Sequence, residues 1–202
     1  VRRRDIRAFI AYVKNERQNK PKTINYKLTA IRSLYRFLVE SEEWHINFNP
    51  MEGIGSLREE QRLPVYLTLE EAEQLLESVQ TTSRFPERDY LIFLLFLQCG
   101  CRFSEVLNIT LDSVNLEERA VRLYGKGDKE RQVPLTQRTV QAFKEYLRVR
   151  KPKVETEALL LNSRGLPLQA SSLRRIFKRA VERSPVKKEN LTPHKLRHTC
   201  LT

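Results

Sequence analysis

Apolar residues recur along the first forty positions with the period of a helix. Ile6, Phe9, Ile10 and Val13 predict an amphipathic helix over about 4–19. Pro21-Lys22-Thr23 breaks it, and Ile24, Leu28, Ile31, Leu34, Tyr35 and Leu38 predict a second, longer helix to about Glu40. Its polar face is expected to carry Lys22, Lys27, Arg32 and Arg36. Asn49-Pro50 and the glycines at 53 and 55 close this helical unit. Residues 56–66 mix charge with Pro64, show no period and read as a linker. Thr68 with Glu71 three residues on is a capping box, which opens a helix to about Val79. A Leu- and Phe-rich helix, expected to be buried, follows over about 86–98 and stops at Gly100, with a short helix over 103–109.

The period then changes to two. Residues 120–124 and 131–134 flank Gly125-Lys126-Gly127-Asp128-Lys129-Glu130, a hairpin with a glycine-rich, charged turn. Thr136 caps a helix to about Arg150, and residues 158–161 read as a short apolar strand that turns out through Asn162-Ser163-Arg164-Gly165. Ser171 or Ser172 opens a basic helix to about Glu182, and a last helix starts at Thr192-Pro193. The fold class expected is mainly α with a small β-sheet (α+β): a helical domain over 1–55, a linker over 56–66 and a second domain over 67–202.

Charge narrows the class of partner. The chain carries 37 Lys+Arg against 25 Asp+Glu, a net charge of +12. That favours polyanions, nucleic acid first and acidic membrane surfaces second; a merely solvated basic surface is the plainer alternative. The surplus is clustered: residues 2–36 hold eleven Lys/Arg against Asp5 and Glu16. Residues 174–188 hold seven, among them Arg174, Arg175, Lys178 and Arg179, against Glu182 alone. Two separated basic stretches suit a protein that grips a duplex from two sides. The apolar run 91–97 is too short to span a bilayer, and nothing at the start resembles a signal peptide. Three cysteines, Cys99, Cys101 and Cys200, with no CxxC pair, argue against a disulfide scaffold or a zinc site. Buried, reduced thiols in a cytoplasmic protein are expected.

Three places carry chemistry. Arg102 follows directly on an apolar helix, where Glu105 at i+3 can hold its guanidinium; an ordinary surface ion pair is the alternative. Lys126 lies between two glycines at a hairpin tip, where backbone can approach a ligand closely, although charged turns are common in themselves. His194 and Arg197 share one face at the start of the last helix, where free N–H groups attract anions; a structural histidine is the alternative. No GxxxxGK[ST] or GxGxxG motif is present, and no Asp/Glu/His cluster has metal spacing. Two arginines, a lysine and a histidine can clamp a phosphodiester and protonate a leaving oxygen with no metal or other cofactor.

Taken in order, these residues resemble the tyrosine recombinase (phage integrase) family, with a Xer-like layout. Residues 97–107, Leu-Gln-Cys-Gly-Cys-Arg-Phe-Ser-Glu-Val-Leu, look like the box around the family's first catalytic arginine, which would be Arg102. Residues 125–135 look like its β-hairpin, with Lys126 as the catalytic lysine. His194-Lys195-Leu196-Arg197-His198-Thr199 looks like its HxLRH box, with His194 and Arg197 in the catalytic roles. Residues 4–50 resemble the family's helical core-binding domain without its first helix. Cys99 stands where the family usually has Thr.

The resemblance implies strand exchange through a 3′-phosphotyrosyl intermediate, with Glu105 and His198 as orienters and no cofactor. It implies double-stranded DNA as partner and a homo-tetramer on DNA for the intact protein. The family's nucleophilic tyrosine lies beyond the HxLRH box. Tyr12, Tyr26, Tyr35, Tyr66, Tyr90, Tyr124 and Tyr146 all precede that box, so no nucleophile is expected within these 202 residues. The chain is therefore expected to be a fragment that binds DNA without cutting it. Lys22, Lys27, Arg32 and Arg36, together with Arg174, Arg175, Lys178 and Arg179, are the expected DNA contacts. A non-catalytic DNA-binding or regulatory protein of the same fold, or a topoisomerase-like nicking enzyme, are the other readings.

Overall fold

The computed structural model describes the chain except residues 42, 43, 45, 61–65, 126–129, 189 and 202, and except the side chains of residues 198, 200 and 201. The chain divides into two compact units, Val1–Leu63 and Pro64–Thr202.

In the first unit, α1 (Arg3–Asn15) and α2 (Pro21–Glu40) pack together. Ile6, Val13, Ile24, Leu28, Met51 and Ile54 form its core, with Phe9, Ile10, Ile31, Tyr35 and Leu57 against it. Both helices lie over the spans that the apolar period predicts, but α1 ends four residues short of the expected 19. The start of the expected linker is held on α2: the Asn25 side chain accepts from Leu57 N at 2.8 Å and donates to Leu57 O at 2.9 Å. At 100° per residue the four cations of α2 do not share one face. Lys27 and Arg32 flank the buried stripe, Arg32 donating to Ile54 O at 3.1 Å. Much of the outward side is instead taken by Tyr26, Leu34 and Phe37, all exposed.

The second unit is built around α4 (Pro86–Leu97), in which every residue from Arg88 to Leu97 is buried. It packs against α3 (Leu69–Thr82), α6 (Gln137–Val149) and α8 (Pro193–Leu201). Phe93 stacks on Phe177 of α7 (Ala170–Arg183) at 5.5 Å, and Phe96 meets the same ring edge-on at 6.3 Å. The capping box at Thr68 forms as the sequence predicts: Glu71 N donates to Thr68 Oγ1 and Thr68 N to Glu71 Oε2. Thr136 caps α6 from one side only, its Oγ1 accepting from Thr139 N at 3.2 Å.

A three-stranded antiparallel sheet, β1 (Val114–Asn115), β2 (Ala120–Tyr124) and β3 (Glu130–Pro134), lies in sequence order. Val121 pairs with Val133 and Tyr124 with Glu130. The short β1 carries no period and was not foreseen. Residues 158–161 do not form the expected strand and make only isolated bridges, Thr110 to Ala158 and Leu161 to Pro167. Their backbone groups are shared between neighbouring backbone, with Leu159 N donating to Ile109 O and Leu160 O accepting from Leu168 N, and side chains. Tyr146 Oη donates to Leu159 O and accepts from Leu161 N, and Arg150 donates to the carbonyls of Ala158 and Leu159. With several of its backbone groups taken by side chains, the run forms no continuous ladder. The fold is thus mainly α with one small sheet.

Candidate active site

The site starts from how α4 ends. Gly100 takes a φ of +55°, the left-handed conformation that only glycine adopts without strain. Cys101 N then donates back to Leu95 O at 3.1 Å, closing the helix. The turn leaves the Gly100 carbonyl available to side chains. It also places Arg102 at the N-cap of α5 (Phe103–Leu107), where its own N–H donates to Glu105 Oε2 at 2.7 Å.

Three guanidiniums from three elements converge on this corner. Arg102 Nη1 donates to Glu105 Oε1 at 2.6 Å. Arg131, on β3, donates through Nη2 to Glu105 Oε2 at 2.7 Å and to Gly100 O at 3.4 Å. Arg197, on α8, donates through Nη1 to Gly100 O, and the same nitrogen lies 3.9 Å from Glu105 Oε2. The Glu105 side chain is 1% exposed, against 55% for Arg102 and 18% for Arg197.

Burial pushes the Glu105 carboxyl up, but hydrogen bonds from Arg131 and from the backbone and side chain of Arg102 outweigh it and hold the group below the usual carboxylate range. One ionised carboxylate therefore faces three permanent cations, a surplus of two positive charges on a partly open surface. Such a corner can hold a phosphodiester through paired N–H forks. Among the described residues, no group of three or more His, Cys, Asp and Glu side chains could hold a metal ion.

His194 lies exposed in the first turn of α8, one turn before Arg197, and Thr192 caps that helix by accepting from Lys195 N at 3.3 Å. Lys126 and the His198 side chain lie outside the described residues. In sequence Lys126 falls between Tyr124 and Glu130, which pair across β2 and β3. On α7, Arg174 lies over the Phe103 ring at 5.1 Å, which places it beside the arginine corner. Lys178 pairs with Glu182 at 3.7 Å. Arg175 and Arg179 lie on another side of the helix, around a groove with Phe85, Asn162 and Ser172. Lys22 and Arg36 are exposed on α2.

Arg131 was missed by sequence reasoning. Its signal lay in the hairpin box itself, as a half-buried charged residue on an alternating strand. Cys99 and Cys101 are buried free thiols on either side of Gly100.

The phage integrase family matches residues 65–202, a stretch that contains the whole arginine corner. The chain belongs to the phage integrase family. This family member is 36% identical over 201 residues to a tyrosine recombinase XerC of Caldanaerobacter subterraneus subsp. tengcongensis, across 98% of this chain and 55% of the relative. In fold it is similar to the XerH site-specific recombinase bound to palindromic difH substrate, with a TM-score of 0.81 at 23% identity over 99% of this chain and 60% of that one. The Tn1549 transposon integrase in complex with circular intermediate DNA is similar at a TM-score of 0.80 and 23% identity, over 99% of this chain and 71% of that one. The chain spans about half the length of curated tyrosine recombinase XerC relatives it matches, 55% and 57% of two of them.

Proposed function

We propose that the intact protein is a site-specific DNA recombinase that cuts and rejoins strands through a 3′-phosphotyrosyl intermediate. The observation that carries this reading is the convergence of Arg102 and Arg197 on one buried carboxylate and one glycine carbonyl, with a surplus of positive charge toward solvent. Family membership and likeness to two recombinases solved with DNA support it.

In this reading a tyrosine outside these 202 residues attacks the scissile phosphate. The new bond joins its oxygen to phosphorus, and the bond from phosphorus to the 5′-oxygen breaks. Arg102 and Arg197 stabilise the charge that builds on the non-bridging oxygens. Lys126 gives a proton to the departing 5′-oxygen, and His194 binds the phosphate or takes up the tyrosine's proton. Attack of a different 5′-hydroxyl on the phosphotyrosyl link completes the exchange. The partner is double-stranded DNA, held by basic residues of both domains, and the intact protein works as a homo-tetramer in the cytoplasm.

Full-length protein on a nicked suicide duplex tests this reading. A covalent adduct is expected that joins two DNA partners in a strand-transfer assay, and Arg197→Ala should abolish it. Binding with no adduct would favour a non-catalytic DNA-binding protein, and nicking without transfer a topoisomerase-like enzyme. These 202 residues alone should shift DNA in a gel, more weakly as salt rises, and form no adduct.

A further inference from the structure

Glu105 presents a problem that Arg102 and Arg197 do not solve. Its side chain is almost wholly buried, and a buried carboxylate that loses its partner is strongly destabilising. Yet a phosphate bound as proposed above competes for both of those arginines. Arg131 is placed differently. It comes from the strand that leaves the hairpin, and its Nη2 reaches the same two acceptors that Arg197 Nη1 approaches, Gly100 O and Glu105 Oε2.

The Arg131 side chain is 36% exposed, so it has room to turn to water. It does not. Its Nε is buried without a hydrogen-bond partner among the described residues, a loss that a surface arginine avoids by reorienting. Holding Nη2 on both acceptors outweighs that loss.

We infer that Arg131 is a positioning residue: it keeps Glu105 paired and the Gly100 carbonyl in place while Arg102 and Arg197 turn to the phosphate. It thereby ties β3 to the arginine corner. For the reaction itself this rests on the recombinase reading above, whereas the hold on Glu105 rests on geometry alone.

Two measurements test it. In full-length protein, Arg131→Gln should slow adduct formation about 10- to 100-fold, the scale of a displaced reacting geometry, while affinity for the same DNA stays near wild type. Arg131→Lys should recover part of that rate, because an ammonium keeps the charge and reaches one acceptor at a time. In a Glu105→Gln background, Arg131→Gln should cost much less. An equal cost in both backgrounds, or a wild-type rate in Arg131→Gln, overturns the inference.

The second measurement is a carboxyl NMR titration of Glu105 in these 202 residues. The groups facing Glu105 are Arg102 and Cys101 beside it in the chain, Arg131 from β3 and Arg197 from α8. Its midpoint should rise in Arg131→Gln and move less in Arg131→Lys. If wild-type protein forms no adduct, the recombinase reading falls and the titration decides this inference alone. An unmoved midpoint would then sink it.

Discussion

Two buried carboxylates in the larger unit are paired with arginine in opposite ways. Asp89 and Arg88, at the start of α4, form a closed pair. Arg88 Nε and Nη2 lie 2.8 and 2.7 Å from Asp89 Oδ1, and Nη1 donates to Leu161 O at 3.0 Å. Ser83 Oγ donates to the other carboxylate oxygen, and the Phe85 ring lies 4.7 Å from the guanidinium. Charge is balanced one to one, and both side chains are nearly buried. At the other end of α4, Glu105 faces three guanidiniums and the corner is open. A closed, balanced pair joins the helix start to the 158–161 segment, and removing one partner of such a pair costs far more than the pair's net contribution to stability. An unbalanced corner is costly for a fold unless an anion completes it.

Substitutions should separate the two. The largest effect on stability is expected at the closed pair: Asp89→Ala leaves Arg88 buried without its partner and should cost about 3–5 kcal/mol, read from urea unfolding of these 202 residues. Arg102→Ala should do the reverse. In full-length protein it should lower adduct formation about 10²–10³-fold, with the unfolding midpoint little changed because the side chain is mostly exposed.

Acid sharpens the contrast. Because the folded Glu105 carboxyl is held below its ordinary value, its stabilisation is complete above that ordinary value and is lost as pH falls through the folded one. Urea midpoints measured from neutral to acidic pH should therefore fall less steeply in Glu105→Gln than in wild type. The next smaller effect lies on α7. Arg174→Ala, beside the corner, should reduce the salt slope of DNA binding by about one, and Arg179→Ala, on the groove side, should change it less. The smallest is Lys178→Ala, which removes an exposed i,i+4 pair and should cost no more than about 0.5 kcal/mol of stability.

What the sequence made legible was local. Arg102 and Glu105 are one helical turn apart, so their contact follows from spacing alone, and the capping box at Thr68 is written in two residue types. Arg131 meets Glu105 across 26 residues and only after the hairpin folds back. Arg197 is seated on Gly100 across 97 residues, and its acceptor is a backbone carbonyl, which has no residue-type signature. The 158–161 segment was misread for a related reason. An apolar run does not say whether strand or side chain will take its backbone groups, and here Tyr146 and Arg150 take several of them. On α2, cations spaced five residues apart wind around the helix rather than along it, so Lys22, Lys27 and Arg32 spread over different faces.

The left-handed stop at Gly100 has a consequence for how this site can vary. A carbonyl cannot be swapped for another side chain, so the seat of Arg197 moves only when the end of α4 moves. Gly100 is bonded to a helix buried on all sides, and the position of that helix is set by the aromatic and leucine contacts along its length. The core thus acts as a gauge block for the chemistry. A change in volume around Phe93 or Phe96 that shifts the helix along its axis is carried, without touching any charged residue, to the spacing between two arginines.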